Sequence, residues 1–163
     1  MGKESAGILL YRIGKFLEVF LVHPGGPFFK NRDVGAWSIP KGEIESGNLL
    51  DCAKREFEEE TGSTIDGMFI ELQPVIQKGG KKVHCWAVEG TMDERQIISN
   101  TFQLEWPPKS GRLQTFPEVD KAAWLDVSTA KEKINPSQFS FIEQLLEKLR
   151  DEGTLSTDRS SEG

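Results

Sequence analysis

The first 23 residues alternate between two short apolar blocks and one polar turn. Ala6 to Arg12 reads as a buried strand, Ile13-Gly14-Lys15 as a turn, and Phe16 to His23 as a second strand closing a hairpin. The stretch His23 to Gly35 is broken by prolines and glycines and predicts a loop. Ala36 to Pro40, with Trp37 and Ile39, predicts a short strand, and Gly42 to Gly47 a second loop. From Asn48 the period changes to helical. Leu50, Ala53 and Phe57 make an apolar stripe, Asn48 suits the N-cap, and Gly62 suits the position after the last turn.

Beyond the helix, Met68 to Gln77 and Lys81 to Glu89 predict two strands around the turn Lys78-Gly79-Gly80. Ser99 to Leu104 reads as another strand, Glu105 to Pro117 as a long Pro/Gly/basic loop, and Val119 to Leu125 as a strand. Pro136 to Arg150 predicts an amphipathic helix with Phe139, Ile142, Leu145, Leu146 and Leu149 on its apolar face. Asp151 to Gly163 is small and polar, which predicts a disordered tail. Strands on both sides of one central helix, with a second helix at the end, predict an α/β (α+β) domain with a mixed sheet between helices. The chain shows no internal repeats. Its 163 residues suit one domain, spanning 1–150.

Composition narrows the function classes. A formal net charge of −6 argues against DNA binding, which needs clustered Lys and Arg. A negative protein that handles phosphates needs metal ions or a local basic pocket. Cys52 and Cys85 lie in apolar-periodic segments and show no zinc spacing, so they read as reduced, buried thiols. No apolar run reaches membrane-spanning length, and the cytoplasm is the expected location.

The chemistry concentrates in Arg55-Glu56-Phe57-Glu58-Glu59-Glu60-Thr61-Gly62. On a helix, Glu56, Glu59 and Glu60 fall on neighbouring positions of one face, and Glu58 points away into solvent. Like charges at those spacings each cost a few tenths of a kcal/mol. The C-terminal dipole disfavours them by roughly 0.3–1 kcal/mol more. A hard divalent cation reverses both penalties, because Mg²⁺ takes oxygen ligands and shares carboxylates with substrate phosphates.

This segment resembles the Nudix box, G-x5-E-x7-R-E-U-x-E-E-x-G-U, and matches R-E-U-x-E-E-x-G at each fixed position. Trp37-Ser38-Ile39-Pro40-Lys41-Gly42, the first strand, and Glu118-Val119 followed by Trp124 are also similar to family members, so the resemblance spans roughly residues 5 to 149. Two departures stand out. Gly42 and Arg55 are 13 positions apart where the pattern has 14, and Asn48 stands where a Glu is expected after Gly47. Either that Glu is deleted or the spacer is one residue short, which leaves a weakened metal site or a loop using Glu43 or Glu45 instead. Ser63 replaces the final apolar residue.

The resemblance implies an α/β/α sandwich with a mixed central sheet. It implies a hydrolase cutting a phosphoanhydride bond in a nucleoside diphosphate linked to another moiety. Dinucleoside polyphosphates come first, then nucleoside triphosphates, nucleotide sugars or capped RNA ends. Glu56, Glu59, Glu60 and the Gly42 carbonyl become ligands of Mg²⁺, or of Mn²⁺ in its place. Arg55 orients the carboxylates. The general base is Glu56 or Glu118, with Glu56 ranked first. Lys41 is placed to meet a substrate phosphate. Phe28, Phe29 and Trp106 suit stacking on a base, and Lys30, Arg32, Lys109 and Arg112 would supply a local positive field. His84, Trp86 and Val88 share a strand face that reads as core or sheet surface rather than pocket floor. The competing reading is a catalytically silent module that binds a nucleotide as a sensor. Monomer and homodimer both stay open.

Overall fold

The computed structural model describes residues 3–153. A ten-residue strand, β1 (Glu4–Ile13), runs through the centre of a six-stranded sheet. Around it stand β2 (Leu17–Pro24), β3 (Lys41–Glu43), β4 (Ile70–Ile76), β5 (Lys82–Glu89) and β8 (Val119–Asp126), in the order β4-β5-β1-β2-β8. The first half of β1 pairs with β3 and the second half with β2, both antiparallel, while β5 runs parallel to β1 from Glu4↔Lys82 to Tyr11↔Glu89. The sheet is therefore mixed.

Strand alternation divides the core in two. Ala6, Ile8, Leu10, Phe20, Val22, Trp86 and Val88 face helix α1 (Leu49–Thr61), which buries Cys52, Ala53 and Phe57 against them. Leu9, Tyr11, Val19, Leu21, Val83, Cys85 and Ala87 face the other way. There they meet α2 (Val127–Lys133) and α3 (Phe139–Asp151) through Ala130, Phe141, Ile142, Leu145 and Leu149. This is the expected sandwich. Trp86 and Val88 are core, and His84 bonds Glu4 at 2.7 Å. Both cysteines are free and buried.

Four expectations need correction. Ala36 to Pro40 is not a strand: Ser38 and Trp37 make only isolated bridges to Val22 and Ile134. The strand lies later, at β3, inside the segment expected to be loop; its polar residues hid it. Glu105 to Pro117 is not all loop either. Strand β7 (Leu113–Pro117) pairs with β6 (Thr101–Glu105) in a two-stranded ribbon separate from the main sheet. Helix α2 was not anticipated; Asp126 caps it by accepting from Thr129 N at 2.7 Å. The expected tail falls almost wholly outside the described residues, and Asp151 ends α3.

Candidate active site

Helix α1 carries the acidic group, and local signals fix both its ends. The Asn48 side chain accepts from Leu50 N and Asp51 N, and Gly62 leaves the helix at φ 82°. A side chain at Gly62 would also press on the Ile98 backbone. Arg55 lies across the helix surface, with Nε 3.2 Å from Glu59 and Nη2 3.4 Å from Glu56. One guanidinium thus offsets two of the three repelling carboxylates.

The other two contacts bind the helix to β3. The Glu56 carboxylate fills the space beside Gly42 that a Cβ would need. The Lys41 backbone N–H donates to Glu60 Oε1 at 3.3 Å. In β3, Lys41 alternates with Gly42, and its Cβ faces Gly7 on the same side as Ile39. The lysine side chain therefore starts on the α2/α3 side; the hydrogen bond to Glu60 comes from its backbone N–H, while its ammonium acts on Glu60 through charge alone. Burial holds the Lys41 ammonium below its usual range, and Lys81 adds to this.

Burial raises the carboxyl groups. Glu60 is pushed up to about 8, mainly by desolvation, with Lys41 opposing and Glu118 and Glu56 adding repulsion. Glu56 is raised by burial and by Glu59, against the pull of Arg55. Glu118 is raised by burial and then by Glu59. Glu60, Glu118 and Lys41 line one cavity of about 140 Å³ with Val22, Pro24, Ser38, Ile39 and Val119.

Residues 98–100 stitch this cluster together. Ile98 N donates to Thr61 O, Asn100 N to Glu59 O, and Glu118 N to Asn100 O, each at 2.8 Å. The Asn100 amide also donates to Glu59 Oε1 at 3.2 Å. Asn100 carries no local sequence signal: it is a polar residue at the start of a strand, 41 positions from its partner.

The expected aromatic group is brought together in part. Phe28 and Trp106 meet edge-on with ring centroids 5.3 Å apart, although 61% of Phe28 stays exposed. Their loop and ribbon approach closely because Gly25 and Gly26 pack flat on Pro117 and Phe102, where side chains would collide. Phe29 is half-buried beside Phe28, outside the ring pair. Arg112 is exposed, and its backbone carbonyl accepts from Trp106 N. Lys30, Arg32 and Lys109 are exposed in the same two segments.

Among the described residues, no three His, Cys, Asp or Glu side chains form a metal-holding group as they stand. Arg55 is the ion-pair partner of both Glu56 and Glu59. The donor chemistry nonetheless fits a hard cation. Glu56, Glu60 and Glu118 are held above their usual range by burial and by one another, which is the penalty a bound cation removes.

A family model described as the NUDIX domain matches residues 1–145. The chain belongs to the Nudix family. Membership makes it a hydrolase of pyrophosphate bonds. Solved Nudix structures share its fold. One is a binary complex of a C. elegans Ap4A hydrolase, 19% identical, with TM-score 0.63 over 90% of this chain and 98% of that one. Another is the NUDIX domain of Shewanella oneidensis NrtR complexed with ADP ribose, 17% identical, with TM-score 0.63 over 91% and 89%. A third comes from work on MutT of Aliivibrio salmonicida and Vibrio cholerae, 15% identical, with TM-score 0.54 over 89% and 96%. At these identities the likeness is one of fold. No helix among the described residues is long and apolar enough to cross a membrane.

Proposed function

We propose that this Nudix protein is a magnesium-dependent pyrophosphohydrolase acting in the cytoplasm, with manganese able to replace magnesium. Its substrate is a nucleoside diphosphate linked to another moiety, first of all a dinucleoside polyphosphate. The observation that carries this reading is the Glu56–Gly42 and Glu60–Lys41 pair of contacts, which holds two half-buried acids against β3, with Glu60 lining the cavity that Glu118 also lines. The exposed Phe28–Trp106 pair adds a stacking surface for a base.

Glu56, Glu59 and Glu60, with the Gly42 carbonyl, would hold the cation. Bound there, it would neutralise charge on the diphosphate and lower the pKa of the attacking water. The chain's own residues set the geometry. Arg55 fixes Glu56 and Glu59, and the Lys41 N–H fixes Glu60. Glu56 or Glu118 accepts the water proton; both carboxyls are raised toward the range of a general base. Glu56 keeps first place because its carboxylate is pinned against Gly42. Lys30, Lys109 and Arg112 supply positive charge near the aromatic pair.

A second reading is a silent nucleotide-binding module. The one-residue shortening supports it, since Asn48 spends its side chain on capping α1. A hydrolysis screen with Mg²⁺ separates the two. It would compare wild type and Glu56→Gln on diadenosine polyphosphates, nucleoside triphosphates, ADP-ribose and nucleotide sugars. The enzyme reading expects Mg²⁺-dependent cleavage that falls roughly 10²–10⁴-fold in the variant. Nucleotide binding with no turnover of any substrate would overturn it in favour of the module.

A further inference from the structure

The acidic end of α1 and Glu118 are far apart in sequence and belong to different layers, yet Glu60 and Glu118 line one cavity. One short segment joins them. Ile98 and Asn100 donate to the Thr61 and Glu59 carbonyls at the open end of α1, where helix carbonyls lack partners of their own. Its next contacts run to the far side: Glu118 N reaches Asn100 O, and Val119 N reaches Ser99 Oγ at 3.0 Å. The backbone thus sets the spacing between helix and Glu118.

The Asn100 side chain adds a separate effect. Its amide donates to Glu59 Oε1, while Arg55 Nε takes Glu59 Oε2 at 3.2 Å. Two donors on two oxygens leave the Glu59 carboxylate one orientation. A neutral amide suits this place, because Arg55 already sets one positive charge against Glu59, a second would compete with the divalent cation, and a carboxylate would repel it. We propose that Asn100 is a positioning residue, whose amide fixes the Glu59 carboxylate for divalent-cation binding and for hydrolysis across the gap to Glu118. This rests on the pyrophosphohydrolase reading for its second half and on geometry alone for its first.

The test uses the full chain as wild type, Asn100→Ala and Asn100→Leu, the last of similar size without a donor. Two quantities are measured: the Mg²⁺ concentration giving half of the maximal thermal stabilisation, and steady-state kinetics on the best substrate of the screen. Without Mg²⁺ the three unfold together, because Asn100 is exposed and its backbone bonds survive. With Mg²⁺ the variants need about 10–100-fold more ion, and kcat falls by a similar factor with KM nearly unchanged. Variants that match wild type in both assays overturn the proposal while leaving the hydrolase reading intact. A wild type that Mg²⁺ stabilises but that hydrolyses nothing, with the variants losing that stabilisation, keeps the positioning role and sinks the hydrolase reading. A wild type that Mg²⁺ does not stabilise overturns the proposal.

Discussion

The Glu56 carboxylate occupies the space that any side chain on Gly42 would need. Gly42 sits in β3 with its pairing fixed to Ala6, so the strand cannot retreat without breaking the sheet. Gly42→Ala therefore pushes the Glu56 carboxylate off its place against β3. The expected outcome is a loss of about 10²-fold in kcat/KM, the scale of an ångström-sized misplacement. Circular dichroism should show the fold retained. A variant with wild-type rate would show that Glu56 acts from elsewhere.

Glu60 contributes to the pH dependence of stability in the metal-free protein. In the folded state it ionises at about 8, while a free glutamate ionises near 4.5. The folded state therefore binds the extra proton between those values. Stability from this group is complete below about pH 4.5, falls as the pH rises, and is gone above about pH 8. At ~1.4 kcal/mol per unit, the loss is on the order of a few kcal/mol. Melting curves without divalent ions should show wild type weakening from pH 5 to pH 9 and Glu60→Gln weakening less. Added Mg²⁺ should restore wild type most at high pH. Parallel curves for the two proteins would refute the assignment.

On the proposed function, Phe28 serves binding rather than folding. It is 61% exposed and its one ring partner is Trp106. Phe28→Ala should leave the melting temperature in place and raise KM for a dinucleoside polyphosphate. Stacking on a base is worth ~1–3 kcal/mol, which corresponds to roughly 5- to 150-fold. A KM unchanged for every nucleotide tested would remove the aromatic pair from the substrate site.

Asn48 has a structural role where the family pattern has an acid. Its side chain takes two backbone N–H groups at the start of α1. Asn48→Ala should cost about 1 kcal/mol in denaturant unfolding and leave the Mg²⁺ requirement of hydrolysis unchanged. A shifted Mg²⁺ requirement would place Asn48 in the ion site.

Helix α1 was readable because its signals are local: a capping Asn48, a stripe through Ala53 and Phe57, and a left-handed Gly62. The carboxylate face followed from helical spacing alone. What could not be read depended on distant partners. Strand β3 consists of Lys41, Gly42 and Glu43, and only pairing with β1 makes it a strand. Trp37 and Ile39 look like strand residues because they are buried, but their burial comes from contacts with the α2/α3 layer. Lys41 was readable as a cation beside the acidic segment, but not as the backbone donor that holds Glu60, which only the strand pairing supplies. Asn100 is invisible in sequence because its role exists only once residues 59 and 118 have been brought beside it.

The ribbon of β6 and β7 pairs only with itself among the named strands, yet it carries Trp106 at its tip. Its length and its tip residues can change without disturbing a single ladder bond of the six-stranded sheet. Only the tip has that freedom, because the base of the ribbon is flanked by Asn100 and Glu118, which are bonded into the acidic cluster. On the proposed function, a change of specificity would then be written at the far end of an arm whose near end is anchored in the acidic cluster.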